Sequence, residues 1–201
     1  MADAKKVEKP VGLFVMNDVI TEKQHAEAMV FLSQIPKERY HPITTRGKYP
    51  MRIGFGRPEK NEDPVPQELK HLLPAVIESL KSEAGPELVT MLNEFDLEKL
   101  RLTINMYDPG RGLGDHCDTE AGEDAIVIGL TLCSNTDTTR RMMFTKVEKD
   151  ANGKKVTHAV LTRAKSVYVL WNDGYTDWMH GSKANKKQKG TVYSITFRYN
   201  C

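Results

Sequence analysis

The chain has 201 residues, 39% hydrophobic and 28% charged, with Lys+Arg 29 against Asp+Glu 27 and a formal net charge of +2. That is enough chain for one sizeable core, and the charge balance is not the footprint of a dedicated nucleic-acid binder. No stretch approaches the ~20 apolar residues of a membrane helix, the opening MADAKKVEKP lacks the apolar region of a secretory signal, and Cys117, Cys133 and Cys201 form no C-x-x-C pair, so a cytoplasmic or nuclear monomer in a reducing compartment is expected.

Residues 1–11 read as a mobile polar tail and 12–201 as a single domain. Gly12-Leu-Phe-Val-Met16 has the composition of a first strand. Thr21-Glu-Lys-Gln24 fits the capping-box pattern and predicts a helix through about Gln34, ended by Pro36. From Pro66, the residues Leu69, Leu72, Leu73, Val76, Ile77 and Leu80 recur at helical spacing, with Pro74 expected to kink that helix. Gly85-Pro86 opens a shorter helix with Leu88, Met91, Leu92 and Phe95 turned inward. These stripes predict helices that buttress one sheet.

After residue 100 the pattern becomes β, with strands expected at 101–107, 116–118, 125–133, 141–147, 154–161, 166–171, 176–181 and 191–199. Asn152-Gly153 between two alternating runs is a hairpin signal. Eight strands after a helical lead-in predict an α+β fold with a mainly β core. The architecture expected is a double-stranded β-helix of the jelly-roll or cupin-like kind.

His116-Cys117-Asp118, with His180 further on, stands out chemically. Residues at i and i+2 of a strand share a face, so His116 and Asp118 can reach one metal ion, with Cys117 turned to the opposite face and packing there. Two imidazoles and a carboxylate hold three positions of a non-haem iron and leave three open. His180 supplies the third donor from another strand. A chance His-x-Asp arises in a chain of this composition roughly one time in three, and an ordinary loop ion pair is the plain alternative. The surroundings favour the metal: a predicted strand ends at Tyr107, a glycine-rich loop runs from 108 to 114, and an apolar run covers 125–132.

The segments INMYDPGRGLGDHCDTEAGEDAIVIGLTL, SVYVLWNDGYTDWMHGS and VYSITFR resemble the AlkB-like branch of the Fe(II)/2-oxoglutarate dioxygenases. The resemblance spans about residues 12–200, is specific from about 102 onward, and matches RIGFG at 52–56 to the family's substrate-lid region. It implies Fe(II) held by His116, Asp118 and His180, and 2-oxoglutarate bound by Asn105, Tyr107, Ser194, Thr196 and Arg198. The family's R-x-S-x-T-F-R strand reads Val192-Tyr-Ser194-Ile-Thr196-Phe-Arg198 here, so its first arginine is a valine. A register slipped so that Arg198 matches the first arginine is the alternative, with a shorter match. The departure has weight because the carboxylate of 2-oxoglutarate that does not chelate the metal needs a partner deep in the pocket, and arginine is the strong one.

The family acts on N-alkyl groups of DNA or RNA, and some members act on proteins. Oxidation of an N-methyl group with 2-oxoglutarate yields succinate, CO2 and, after collapse of the hydroxylated carbon, formaldehyde. Arg46, Lys48, Arg52 and Arg57 around the supposed lid, and Lys183, Lys186, Lys187 and Lys189 after His180, are either phosphate contacts or solvated loop faces. Phe55, Tyr175 and Trp178, with Tyr49 on weaker grounds, are candidate stacking surfaces for a base. Plain core packing is the alternative for each. Three functions stay open: demethylation of alkylated nucleic acid, oxidation of a protein side chain, and a cupin-like module that binds metal without turnover.

Overall fold

The computed structural model describes residues 10–43, 49–94, 96, 99–118 and 125–199. In chain order it contains β1 (Leu13–Met16), α1 (Glu22–Gln34), β2 (His41–Pro42), β3 (Met51–Phe55), α2 (Gln67–Lys70), α3 (Leu72–Glu83) and α4 (Pro86–Asn93). There follow β4 (Arg101–Tyr107), β5 (Leu113–His116), β6 (Ile126–Cys133), β7 (Arg140–Lys149), β8 (Lys155–Thr162), β9 (Val167–Leu170), α5 (Asp173–Thr176), β10 (Trp178–Ser182) and β11 (Val192–Tyr199). They form a seven-stranded sheet in the order β1-β9-β6-β11-β4-β3-β2 and a four-stranded sheet in the order β5-β10-β7-β8. All pairings are antiparallel, and the two sheets make the double-stranded β-helix. No helix among the described residues is long and apolar enough to cross a membrane.

Strand alternation builds the large sheet. Leu102, Ile104 and Met106 of β4, Ile128, Leu130 and Leu132 of β6, and Ile195 and Phe197 of β11 share one face, which is buried against Ala28, Leu32, Leu69, Leu73, Val76, Leu80 and Leu88 of the helices. The residues between them, Thr103, Asn105, Tyr107, Ser194, Thr196 and Arg198, therefore face the small sheet. The register sets Tyr107 opposite Val192, Asn105 opposite Ser194, Thr103 opposite Thr196 and Arg101 opposite Arg198. A polar ladder thus lines the inside of the sandwich. Two apolar clusters flank it, one around Phe144, Tyr168 and Trp178, the other around Tyr107, Cys133 and Val192.

Helix α1 begins as its capping box requires, with Gln24 N–H donating to Thr21 Oγ1 at 3.2 Å and Thr21 N–H to Gln24 Oε1 at 2.9 Å. The helical stripe after Pro66 breaks at His71, not at Pro74. Pro74 has no N–H for the Lys70 carbonyl, so the chain restarts there and the proline sits in the first turn of α3, where no intrahelical donor is needed. The RIGFG stretch is a strand of the large sheet, with Arg52 opposite Asn105 and Gly54 opposite Thr103. The strand expected at 116–118 instead runs from Leu113 to His116, and that expected at 176–181 starts at Trp178, after the short helix α5. The Asn152-Gly153 turn joins β7 to β8, with Gly153 at φ +71. Residues 1–9, Arg46, Lys48, Phe95 and Cys201 lie outside the described residues.

Candidate metal centre

His116, the last residue of β5, lies directly opposite His180 of β10, and their rings are 4.4 Å apart between centroids. Asp118 follows just past the strand end. His116 Nε2 lies 3.7 Å from Asp118 Oδ1, and His180 Nε2 lies 3.9 Å from Asp118 Oδ2. One donor atom from each of the three residues falls within 4.8 Å of the other two. Donors at right angles on one ion, each at roughly 2.1 Å, are about 3 Å apart, so with every pair within 4.8 Å the trio reaches metal-binding distances by closing at most about 2 Å per pair.

The surroundings prepare these atoms for a cation. His116 Nδ1 lies 3.1 Å from the Gly114 carbonyl oxygen; donating there leaves the Nε2 lone pair free toward Asp118. Burial pushes His180 down to about 4, outweighing the opposite pull of Asp118, so its imidazole is neutral at physiological pH. Burial by itself would raise the Asp118 carboxyl, but Arg198, His180 and His116 together hold it below the usual carboxylate range. Arg198 makes a two-point contact, Nη2 to Asp118 Oδ1 at 3.3 Å and Nε to Oδ2 at 3.4 Å, and its Nη1 donates to Thr103 Oγ1 at 3.0 Å. The Tyr175 hydroxyl donates to the Asp118 carbonyl and anchors the backbone at that residue. A neutral His180 nitrogen, an ionised Asp118 oxygen and fixed partners suit a divalent ion.

A cleft of about 220 Å³ opens beside the three donors, lined by Arg52, Arg57, Arg101, Arg198, Cys117 and Tyr175 among others. Because β5 ends at His116, strand alternation does not carry Cys117 to the opposite face as expected; it is half-buried and lines the same cleft as Asp118. Deeper, between the sheets, Asn105, Tyr107, Tyr168, Ser182, Ser194 and Thr196 enclose a small pocket of about 20 Å³ that also touches Arg52, His116, His180 and Arg198. That space holds about one water. Arg52 Nε donates to Asn105 Oδ1 at 2.9 Å across it.

Of the residues predicted to hold metal and co-substrate, His116, His180, Asn105, Tyr107, Ser194, Thr196 and Arg198 thus line this one pocket, and Asp118 lines the adjoining cleft within reach of both histidines. The residues predicted to meet substrate divide. Arg52 lines both the cleft and the inner pocket. Phe55 is three residues on, an odd step along a strand, so it faces the helices and is 3% exposed. Trp178 does share the inward face of His180, but packs at 2% exposure with Phe144 and Tyr168. Neither ring is presented to the cleft. Lys183, Lys186, Lys187 and Lys189 are exposed but do not line it; Lys183 borders a separate groove with Tyr49.

Sequence reasoning missed Arg101 and Thr103, although they continue the alternation of Asn105 and Tyr107, and it missed Tyr168. A signal for Tyr168 existed: Gly129 interrupts an apolar run, and an isolated strand glycine often marks close approach of another group. A Cβ at Gly129 would lie 2.2 Å from the Tyr168 ring. Gly129→Ala is therefore expected to destabilise the protein by about 1–3 kcal/mol through overpacking, measurable as a lower denaturation midpoint in urea at unchanged slope.

No family model matches the sequence. An uncharacterized protein of Acanthamoeba polyphaga mimivirus is 30% identical over 122 residues, and the chain spans about half the length of that relative, 54% of each being covered. Among solved structures, a Pseudomonas putida prolyl-4-hydroxylase superposes with TM-score 0.58 at 13% identity, covering 94% of this chain and 92% of that one. The non-heme alpha ketoglutarate dependent carbocyclase SnoK of nogalamycin biosynthesis superposes with TM-score 0.58 at 12% identity, covering 93% and 79%. The epimerase SnoN of the same biosynthesis does so with TM-score 0.58 at 11% identity, covering 94% and 78%. The chain shares with them the double-stranded β-helix fold.

Proposed function

We propose that this chain is an Fe(II)- and 2-oxoglutarate-dependent oxygenase. The observation that carries the reading is the convergence of His116, Asp118 and His180 at the mouth of a polar pocket, inside a fold shared with enzymes described as alpha ketoglutarate dependent. Fe(II) and 2-oxoglutarate, when bound, supply the oxidising chemistry, in which dioxygen and the 2-oxo acid yield succinate, CO2 and a hydroxylated substrate carbon. The protein's part is placement. His116, Asp118 and His180 would hold the metal; Asn105, Tyr107, Ser194 and Thr196 would present hydrogen-bonding groups to the 2-oxo acid; Arg198 holds Asp118 and would offer its charge to an incoming carboxylate. The inner pocket, about 20 Å³ with Arg52 bonded to Asn105 across it, would have to open to admit a five-carbon diacid.

Of the four arginines at the cleft, Arg57 is paired with Glu62 and Arg198 with Asp118, and the charge of Arg52 and Arg101 favours an anionic substrate. With the resemblance of the strands from 102 onward, that supports oxidative demethylation of N-alkylated nucleic acid. Oxidation of a protein side chain is the second reading. It draws on the nearly complete mutual coverage with a prolyl-4-hydroxylase and on the burial of Phe55 and Trp178, which leaves a flipped base without those two stacking faces.

Anaerobic addition of Fe(II) and 2-oxoglutarate should produce a weak visible charge-transfer band that needs both components. Metal binding without any such band would reduce the protein to a metal-binding module. In air, formaldehyde released from N-methylated oligonucleotides would select the nucleic-acid reading. Hydroxylated peptide without formaldehyde would select the other.

A further inference from the structure

The proposed site lacks a charge where the co-substrate needs one. Val192 stands in the place of an arginine, is fully buried, and lies opposite Tyr107 at the inner end of the pocket. The distal carboxylate of 2-oxoglutarate would point there, and an unpaired buried carboxylate is strongly disfavoured.

Arg140 lies behind that end from the other sheet, touching Tyr107 and Ser182 of the lining. It is the first residue of β7 and shares the inward face of that strand with Met142 and Phe144. It is 3% exposed. Its guanidinium carbon lies 3.9 Å from the centre of the Tyr107 ring. Nε and Nη2 donate to Ser182 Oγ at 3.0 and 2.8 Å, Nη1 to Gln188 Oε1 at 2.6 Å, and Nη2 to the carbonyls of Arg111 and Lys183 at 3.2 and 3.3 Å. Gln188 is itself held by donating to the Tyr107 carbonyl at 2.7 Å. Every one of these acceptors is neutral. Among the described residues no carboxylate pairs with Arg140, so a buried cation stands in contact with two hydroxyl-bearing residues of the inner pocket, Tyr107 and Ser182.

We propose that Arg140 is the counter-charge for the distal carboxylate of 2-oxoglutarate, replacing from β7 the arginine that β11 lacks at position 192. Tyr107 and Ser182 receive the carboxylate through their hydroxyls, and Arg140, touching both, neutralises it from behind. The inference rests on the oxygenase reading and goes beyond it by assigning the selectivity for a dicarboxylic co-substrate to a residue outside the strand that the sequence resemblance marks.

The test compares 2-oxoglutarate with 2-oxobutyrate, which keeps the metal-chelating 2-oxo acid and lacks the distal carboxylate. Binding is titrated anaerobically through the Fe(II) charge-transfer band and, independently, through the rise in melting temperature with Mn(II). The wild-type chain should prefer 2-oxoglutarate by about a hundredfold or more, the size of a lost buried charge pair. Arg140→Met should abolish that preference by weakening 2-oxoglutarate alone, and adding Val192→Arg to that variant should restore it. Arg140→Lys, which keeps the charge should the methionine variant not fold, should weaken 2-oxoglutarate by roughly tenfold and leave 2-oxobutyrate alone. Equal loss of both acids in the variants, or an undiminished preference in Arg140→Met, overturns the proposal by making Arg140 a structural residue. A wild-type chain that binds Fe(II) and either acid without preference overturns it while sparing the oxygenase reading. A chain that binds neither sinks both.

Discussion

Asp118→Ala is expected to lose at least about a hundredfold in affinity for Fe(II) or Mn(II) and, with it, all measurable turnover. Even partners one step removed from a metal cost 10–100-fold when mutated, and Asp118 is the sole anionic donor of the three. The same substitution strands Arg198, which keeps Thr103 but loses its two-point contact to the carboxylate. His180→Ala should match the loss, because a buried neutral imidazole paired across the strands with His116 has no substitute nearby. The measurement is a metal titration with the thermal shift that binding produces. The apo His180→Ala variant should melt close to the wild-type apo protein, since the large hydrophobic core lies on the far face of the seven-stranded sheet, whereas apo Asp118→Ala should melt lower because it leaves the partly buried Arg198 without its carboxylate. Full metal affinity in either variant would remove the basis for the centre.

Arg198→Ala is expected to raise the 2-oxoglutarate requirement far more than the metal requirement. Taking the cation from a buried carboxylate pair costs about 3–5 kcal/mol, which is roughly a hundredfold to several-thousandfold in affinity. On the metal, two effects oppose one another: Asp118 loses the partner that orients it, a 10–100-fold penalty, while a positive charge leaves the neighbourhood of a divalent cation. Titrating each ligand separately, with the other saturating, resolves the two. Equal sensitivity to both would make Arg198 solely an orienting partner of Asp118.

Alternation explains both the successes and the failures of reading this site from sequence. Asn105 and Tyr107, then Ser194, Thr196 and Arg198, are spaced by two within strands whose boundaries were legible, so their common face followed. The resemblance puts Arg52 and Phe55 in one RIGFG stretch facing substrate, but an odd step separates them and places one in the cleft and the other in the core. Cys117 was assigned by alternation, but β5 stops at His116 and the rule stops with it. Pro74 was recognised as an interruption, yet the chain satisfies it by a fresh helix start.

The sequence by itself determined the periodicities: helical stripes, a capped first helix, a run of strands, and a His-x-Asp followed at distance by His180, which together point to a double-stranded β-helix with a polar interior. Tertiary structure alone decided which side chains share the pocket from different strands. His116 meets His180 because β5 pairs with β10 in one register, and Arg140 meets Tyr107 because one sheet lies over the other. Periodicity is a property of neighbours along the chain, whereas a buried charge finds its partners by packing between sheets, and no spacing within either strand encodes that contact.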